Sequence, residues 1–131
     1  MFGKQFISFS IIGGIGFIVD TGLLYLLIYA VDIDLYLGRF FSYLCAVTIT
    51  WVLNRAYTFQ LDEQFVCRIG LLRQWSRFVG CNALGAVINY TIYALLITFI
   101  GSFYTYPVFA IAVGTLFSVN VNFFLSKKYV F

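Results

Sequence analysis

Histidine is absent from this chain, and charged residues, proline and cysteine are scarce. Without histidine, the commonest general base and the commonest metal ligand are both missing. The three cysteines have no partners at the spacings of metal or redox motifs, so we interpret them as small hydrophobic residues or free thiols. No catalytic set can be assembled from the remaining residues, so we expect neither an enzyme nor a cofactor or metal.

Apolar residues dominate the composition: the 131 residues are 63% hydrophobic, 21% aromatic and only 10% charged. Four apolar runs are visible, at about Phe6–Val31, Leu37–Leu53, Phe78–Ile100 and Tyr106–Leu125. Each has about 17–26 residues, the length that an α-helix needs to cross a bilayer. The first run is too long for the core of a signal peptide, so we expect it to stay in the membrane. The sequence predicts an all-α polytopic membrane protein with four transmembrane helices.

Positive charge is distributed unevenly between the two sides that four spans would create. Seven basic residues fall at the amino end, in the central linker or at the carboxyl end: Lys4, Arg55, Arg68, Arg73, Arg77, Lys127 and Lys128. The opposite side carries Arg39 with the acidic Asp32 and Asp34. Since cytoplasmic loops are enriched in lysine and arginine, we expect both termini on the cytoplasmic side of the inner membrane.

The two halves of the sequence resemble each other. The pattern Phe-x3-Gly-x2-Gly-x3-Asp of residues 9–20 returns as Phe-x3-Asn-x2-Gly-x3-Asn at 78–89. Likewise, the segment 54–59 matches 126–131. Because each half contains two spans, the copies are expected to be parallel repeats of a helical hairpin. We therefore predict one transmembrane domain over 1–131, with repeat 1 at about 6–59, a cytoplasmic linker at about 60–76 and repeat 2 at about 77–131.

A carboxylate stands well inside the first span. Asp20 at membrane depth costs several kcal/mol unless it is protonated, paired or exposed to water. Gly13 and Gly16 share its helix face, and Asn82 and Asn89 occupy the same stripe in the second half. One interpretation is that Asp20 and Asn89 form hydrogen bonds across a helix contact. The interpretation that we favour is a polar cleft wall for a substrate head group.

Amides and cations meet at the ends of the second and fourth spans. Asn54 precedes Arg55, and Asn122 lies one turn or more before Lys127 and Lys128. Amides and hydroxyls beside cations suit a phosphate or a sugar. The alternative explanation of these cations is topology, snorkelling and the helix dipole.

These residues together resemble the GtrA-like family of four-span membrane proteins. The resemblance covers essentially the whole chain: the pattern at Phe9–Asp20, the Asn-Arg-x-Tyr-Thr-Phe closure at 54–59 and the segment 122–131. It implies handling of polyprenyl-phosphate-linked monosaccharides for cell-surface polysaccharide glycosylation, with movement from the cytoplasmic to the outer leaflet. Thr50 and Ser126 depart from the asparagines that the family often has at those positions.

Our leading hypothesis is therefore a flippase for a polyprenyl-phosphate monosaccharide. The expected substrate-binding residues are Asp20, Asn89, Asn54, Arg55, Asn122, Lys127, Lys128, Arg77, Arg39 and Asn82. The expected partners are the membrane, the lipid substrate, a possible glycosyltransferase and further copies of the chain, but no nucleic acid. The main alternative is a non-transporting membrane anchor or scaffold for a glycosyltransferase. A small multidrug exporter, which also has four helices and one acid, is disfavoured by the charge bias.

Overall fold

The computed structural model describes residues 2–61, 68–105 and 107–131, and these ranges contain helices and no strand. The helices are α1 (Phe2–Tyr29), α2 (Leu35–Leu53), α3 (Arg68–Phe99), α4 (Gly101–Thr105) and α5 (Pro107–Leu125). Two five-residue π-helical turns extend α2 and α5, which we call π1 (Asn54–Thr58) and π2 (Ser126–Val130). The all-α class predicted from the apolar runs is confirmed.

Three of the described stretches are long and apolar enough to cross a membrane: Phe2–Tyr29, Arg68–Phe99 and Phe109–Val130. Helix α2 has 19 residues, which at 1.5 Å per residue gives about 28 Å, close to the thickness of the hydrocarbon core. Large apolar side chains point outward along these helices, with Phe17, Ile18 and Tyr90 each 71% exposed. Such surfaces are stable in lipid and costly in water, so the protein is a multi-pass membrane protein.

Two details of the helices differ from the expectation. Helix α3 begins at Arg68 rather than near Arg77, because the basic residues there alternate with Leu and Trp that continue the helix. The residues between the third and fourth apolar runs, which we expected to form a loop, are the short helix α4. Residues 62–67 of the predicted linker and Tyr106 lie outside the described residues.

The chain divides into two compact units, Met1–Trp75 and Ser76–Phe131. In the first unit, α1 and α2 pack as a hairpin around Phe9, Ile12, Ala46 and Val47, all of which are buried. Asp32, with a φ of 60°, lies in the turn between these helices. In the second unit, the buried apolar side chains include Phe78, Ala110 and Phe123.

Each unit uses a glycine to bring its helices together. A Cβ added to Gly16 would collide with the Thr50 side chain, and one added to Gly85 would collide with the Asn122 amide. Gly85 corresponds to Gly16 in the repeat of the pattern 9–20 at 78–89, and Asn122 corresponds to Thr50 in the register that matches 54–59 to 126–131. This equivalence is what a duplicated hairpin would produce, and duplication stays an interpretation.

Candidate functional site

Asp20 forms an ion pair and a hydrogen bond inside the first unit. Its Oδ2 lies 2.5 Å from Arg39 Nη1, and its Oδ1 accepts a hydrogen bond of 2.8 Å from the Ser42 hydroxyl. Arg39 and Ser42 are one helical turn apart on α2, so both project from one helix face toward α1. Only 13% of the Asp20 side chain is exposed, against 56% of Arg39. The carboxylate therefore joins the two helices, and Arg39 keeps most of its surface free.

Asn89, which matches Asp20 in the repeat, lies in a more open place. Its amide nitrogen donates to the Thr115 hydroxyl at 3.3 Å. Asn89 also lines an open cavity of about 330 Å³ together with Tyr90, Tyr93 and Ile111. An amide and two tyrosines can hydrogen-bond and stack on sugar-like groups. Thus the position that is closed by an ion pair in the first unit borders a cavity in the second.

Two expected polar residues are occupied by local contacts. Asn82 donates a 3.0 Å hydrogen bond to the carbonyl of Phe78 in its own helix. Asn122 is pressed against Gly85, and its side-chain oxygen is buried without a hydrogen-bond donor among the described residues. Neither contact involves a charged group. Their part in substrate binding remains a prediction.

The π1 turn carries a chain of polar contacts. Thr58 donates to the Asn54 side-chain oxygen at 2.8 Å, and its hydroxyl lies 2.9 Å from that of Ser8 on α1. Asn54 is only 1% exposed. The Phe59 N–H closes the wide turn on the Asn54 carbonyl at 3.0 Å. Asn54 therefore ties π1 to α1, and π-helical turns are often found at functional sites.

Arg55 is a buried cation, with 7% of its surface exposed. Its Nη1 donates a 2.6 Å hydrogen bond to the side-chain oxygen of Gln74, near the start of α3. Among the described residues, no carboxylate lies within ion-pair distance of Arg55. Buried charges are ordinarily paired because an unpaired one loses its hydration without compensation. Arg55 is therefore suited to an anion that is not part of the described chain.

Arg77 and Lys128 meet at an open groove of about 490 Å³ in the second unit. Arg77 Nη1 lies 3.4 Å from the Tyr129 carbonyl, and Lys128 Nζ lies 5.2 Å from the centre of the Tyr129 ring. Cys81, Leu84 and Leu125 form the apolar part of the lining. Lys127 points elsewhere, with its Nζ 5.8 Å from the centre of the Phe123 ring. The groove combines a cationic end with an apolar wall.

The sequence indicated most of the polar residues but not their partners. Gln74, Ser42 and Thr58 each contact an expected residue and were not predicted. Ser42 had a usable signal, since it lies one helical turn after Arg39. Gln74 had none, because its contact with Arg55 depends on how α3 begins.

Helices that are apolar on their outer faces, with paired or buried polar groups inside, define a multi-pass α-helical membrane protein. The model of the GtrA/DPMS transmembrane-domain family matches residues 8–131. The chain belongs to this family, as the resemblance noted in the sequence led us to expect. A comparison with curated proteins finds no match.

Proposed function

We propose that this protein translocates a polyprenyl-phosphate-linked monosaccharide across the cytoplasmic membrane for glycosylation of cell-surface polysaccharide. Membership of the GtrA/DPMS family supports a role in handling such lipids. The protein acts in this proposal as a carrier and not as an enzyme. Both termini face the cytoplasm, as the distribution of basic residues favours.

The observation that carries the proposal is the buried Arg55. Its guanidinium contacts the neutral Gln74 and no described carboxylate, so an incoming phosphate would provide the missing opposite charge. Hydrogen bonds between a guanidinium and a phosphate are among the strong ones, because both partners are charged. Arg55 also lies at the end of α2 for which the distribution of basic residues favours the cytoplasmic side. A lipid made in the cytoplasmic leaflet would meet it there.

The sugar requires a different environment from the phosphate. The cavity beside Asn89 offers an amide and two phenols to sugar hydroxyls. Asp20 is already paired, so we assign the exposed Arg39 the role of receiving the phosphate at the outer side. Its guanidinium has five N–H donors, and Asp20 is contacted by one nitrogen. The prenyl chain stays in the lipid throughout.

Reconstitution tests the proposal directly. Purified protein is placed in vesicles that contain a fluorescent polyprenyl-phosphate monosaccharide, and exchange between leaflets is followed by quenching from outside. The wild-type protein is expected to accelerate exchange over empty vesicles. No acceleration would overturn translocation and favour the non-transporting anchor for a glycosyltransferase.

One substitution tests Arg55 itself. Gln74→Glu preserves size but gives Arg55 an internal carboxylate at the 2.6 Å contact, so the substrate phosphate must compete with it. We expect exchange to fall about tenfold or more, since a lost charge-assisted hydrogen bond is worth about 1.5–3 kcal/mol. Gln60→Glu, which adds the same charge at an exposed position, is the matched control. Equal exchange in both variants would exclude Arg55 as the phosphate contact.

A further inference from the structure

The groove of Arg77 and Lys128 has a twin in the first unit. The twin lies between α1 and the end of α2, has a volume of about 440 Å³ and is also open. Leu53 and Tyr57 line it at the positions that Leu125 and Tyr129 take in the second repeat. Ile12 of the twin corresponds in the same way to Cys81. The two grooves are therefore one structural feature present twice.

The twins differ at the positions that carry charge. Arg77 of the second groove replaces Ser8 of the first, and Lys128 stands at the position that Ala56 has in the first repeat. The lining of the first groove is aliphatic apart from Ser8, Tyr57 and Lys4, the last near the amino end of α1. One groove thus has two cations that converge on Tyr129, whereas the other has a single terminal lysine.

The second groove also has more room beside its cations. Gly80 lies there, and a Cβ added to it would meet nothing within 4 Å. The corresponding residue of the first groove is Ile11, whose side chain is part of the wall. A glycine one turn from an arginine leaves space for a bulky polar group at the arginine.

The side chains of Ser8 and Arg77, which occupy equivalent positions in the two grooves, differ in their hydrogen bonds. Ser8 is held by the Thr58 hydroxyl at 2.9 Å, and Thr58 is in turn bonded to Asn54. The second unit has Val130 where the first has Thr58, so this chain of contacts cannot form. Among the described residues, Arg77 donates a hydrogen bond only to the Tyr129 carbonyl, at the long distance of 3.4 Å, and its side chain lines the groove.

We propose that the second groove, and not its twin, first captures the phosphate end of a prenyl lipid, which Arg55 contacts in a later step of translocation. Arg77 and Lys128 hold the phosphate, while Leu84 and Leu125 contact the first isoprene units. Charge complementarity favours this occupant, because a phosphate satisfies the cations and its chain satisfies the apolar wall. The assignment rests on the proposed function for the class of lipid, and it adds which repeat captures that lipid.

Binding to the full chain in detergent tests the assignment, with farnesyl phosphate as the probe and native mass spectrometry as the measurement. We expect one bound farnesyl phosphate per chain, and much weaker binding of farnesol, inorganic phosphate and phosphatidylglycerol. Replacing the cations by the residues of the twin, Arg77→Ser with Lys128→Ala, is expected to weaken binding about tenfold or more. Lys4→Ala, which removes the cation of the twin groove, is the control and should leave the affinity unchanged.

The reciprocal exchange is a gain-of-function test. Ser8→Arg with Ala56→Lys is expected to create a second site, so that two farnesyl phosphates bind per chain. Ala56→Lys alone keeps the hydrogen bond between Ser8 and Thr58 and should strengthen binding at the twin if the double variant does not fold. The proposal is overturned if Lys4→Ala weakens binding as much as the Arg77 and Lys128 exchange, or if phosphatidylglycerol binds equally well.

Capture and transport can fail separately. If the Arg77 and Lys128 exchange leaves farnesyl phosphate binding intact while wild-type vesicles still show rapid leaflet exchange, the groove assignment is wrong and the proposed function stands. If farnesyl phosphate binds at the groove but exchange is no faster than in empty vesicles, the groove assignment stands and translocation is wrong.

Discussion

The ion pair between Asp20 and Arg39 allows a quantitative prediction about stability. Breaking a buried pair typically costs about 3–5 kcal/mol because one charge is left without compensation. Pairs on the surface contribute only about 0.2–1 kcal/mol. With 13% of the Asp20 side chain and 56% of the Arg39 side chain exposed, this pair falls between these cases. Asp20→Asn is therefore expected to destabilise the protein by about 2 kcal/mol, while keeping an oxygen for the Ser42 hydrogen bond.

The measurement is a double-mutant cycle with Asp20→Asn, Arg39→Gln and the combined variant. Unfolding in mixed micelles is followed by circular dichroism as the denaturing detergent is increased. We expect a coupling energy of about 1–2 kcal/mol. Asp32→Asn is the matched control, since it removes an exposed acid and asparagine tolerates the positive φ at that turn. A coupling below about 0.5 kcal/mol, or an equal loss in the control, would refute the pairing as a source of stability.

Two further predictions concern packing within the units. Gly16→Ala should destabilise the protein by about 1–3 kcal/mol, because the added Cβ would meet the stiff β-branched side chain of Thr50. Gly13→Ala has open space around the added Cβ and should be tolerated. The same micelle unfolding assay compares the two variants, and equal stabilities would contradict the close contact at Gly16. Thr58→Val removes two hydrogen bonds and should destabilise the protein by about 1–2 kcal/mol. Ser126→Ala should be neutral or stabilising, because the buried Ser126 hydroxyl has no partner among the described residues. If chemical unfolding shows Ser126→Ala to be the less stable variant, these hydrogen bonds do not determine the stability at the two positions.

The helices and their class follow from composition and run length, because lipid forces every backbone group to be satisfied within a helix. The polar residues could also be selected from the sequence, since a charge or an amide inside an apolar run is conspicuous. The hydrogen-bond and ion-pair partners of these polar residues could not be predicted from the sequence. Asp20 fits a cleft wall and an ion pair equally well in one dimension, and only the position of Arg39 across the hairpin decides that it is paired.

The two grooves could not be predicted from the sequence, for a related reason. Leu84, Leu125 and Leu53 are ordinary apolar residues in apolar runs, so nothing in the sequence separates a groove wall from a lipid-facing surface. The start of α3 was missed because the basic residues before Arg77 suggested a solvated linker. Arginine and lysine continue a helix readily, and the charges alone do not end one.

The π turns have an electrostatic consequence for the carboxyl-terminal ends of α2 and α5. An ordinary α-helix ends in free carbonyls that carry partial negative charge and repel anions. Here the carbonyls of Asn54 and Ser126 accept the N–H groups of Phe59 and Phe131, at 3.0 and 2.9 Å. The carbonyls that follow keep their partial negative charge, and Arg77, whose Nη1 lies 3.4 Å from the Tyr129 carbonyl, offsets part of it in the second unit. An approaching anion is therefore attracted by the side chains at these helix ends and not by the backbone.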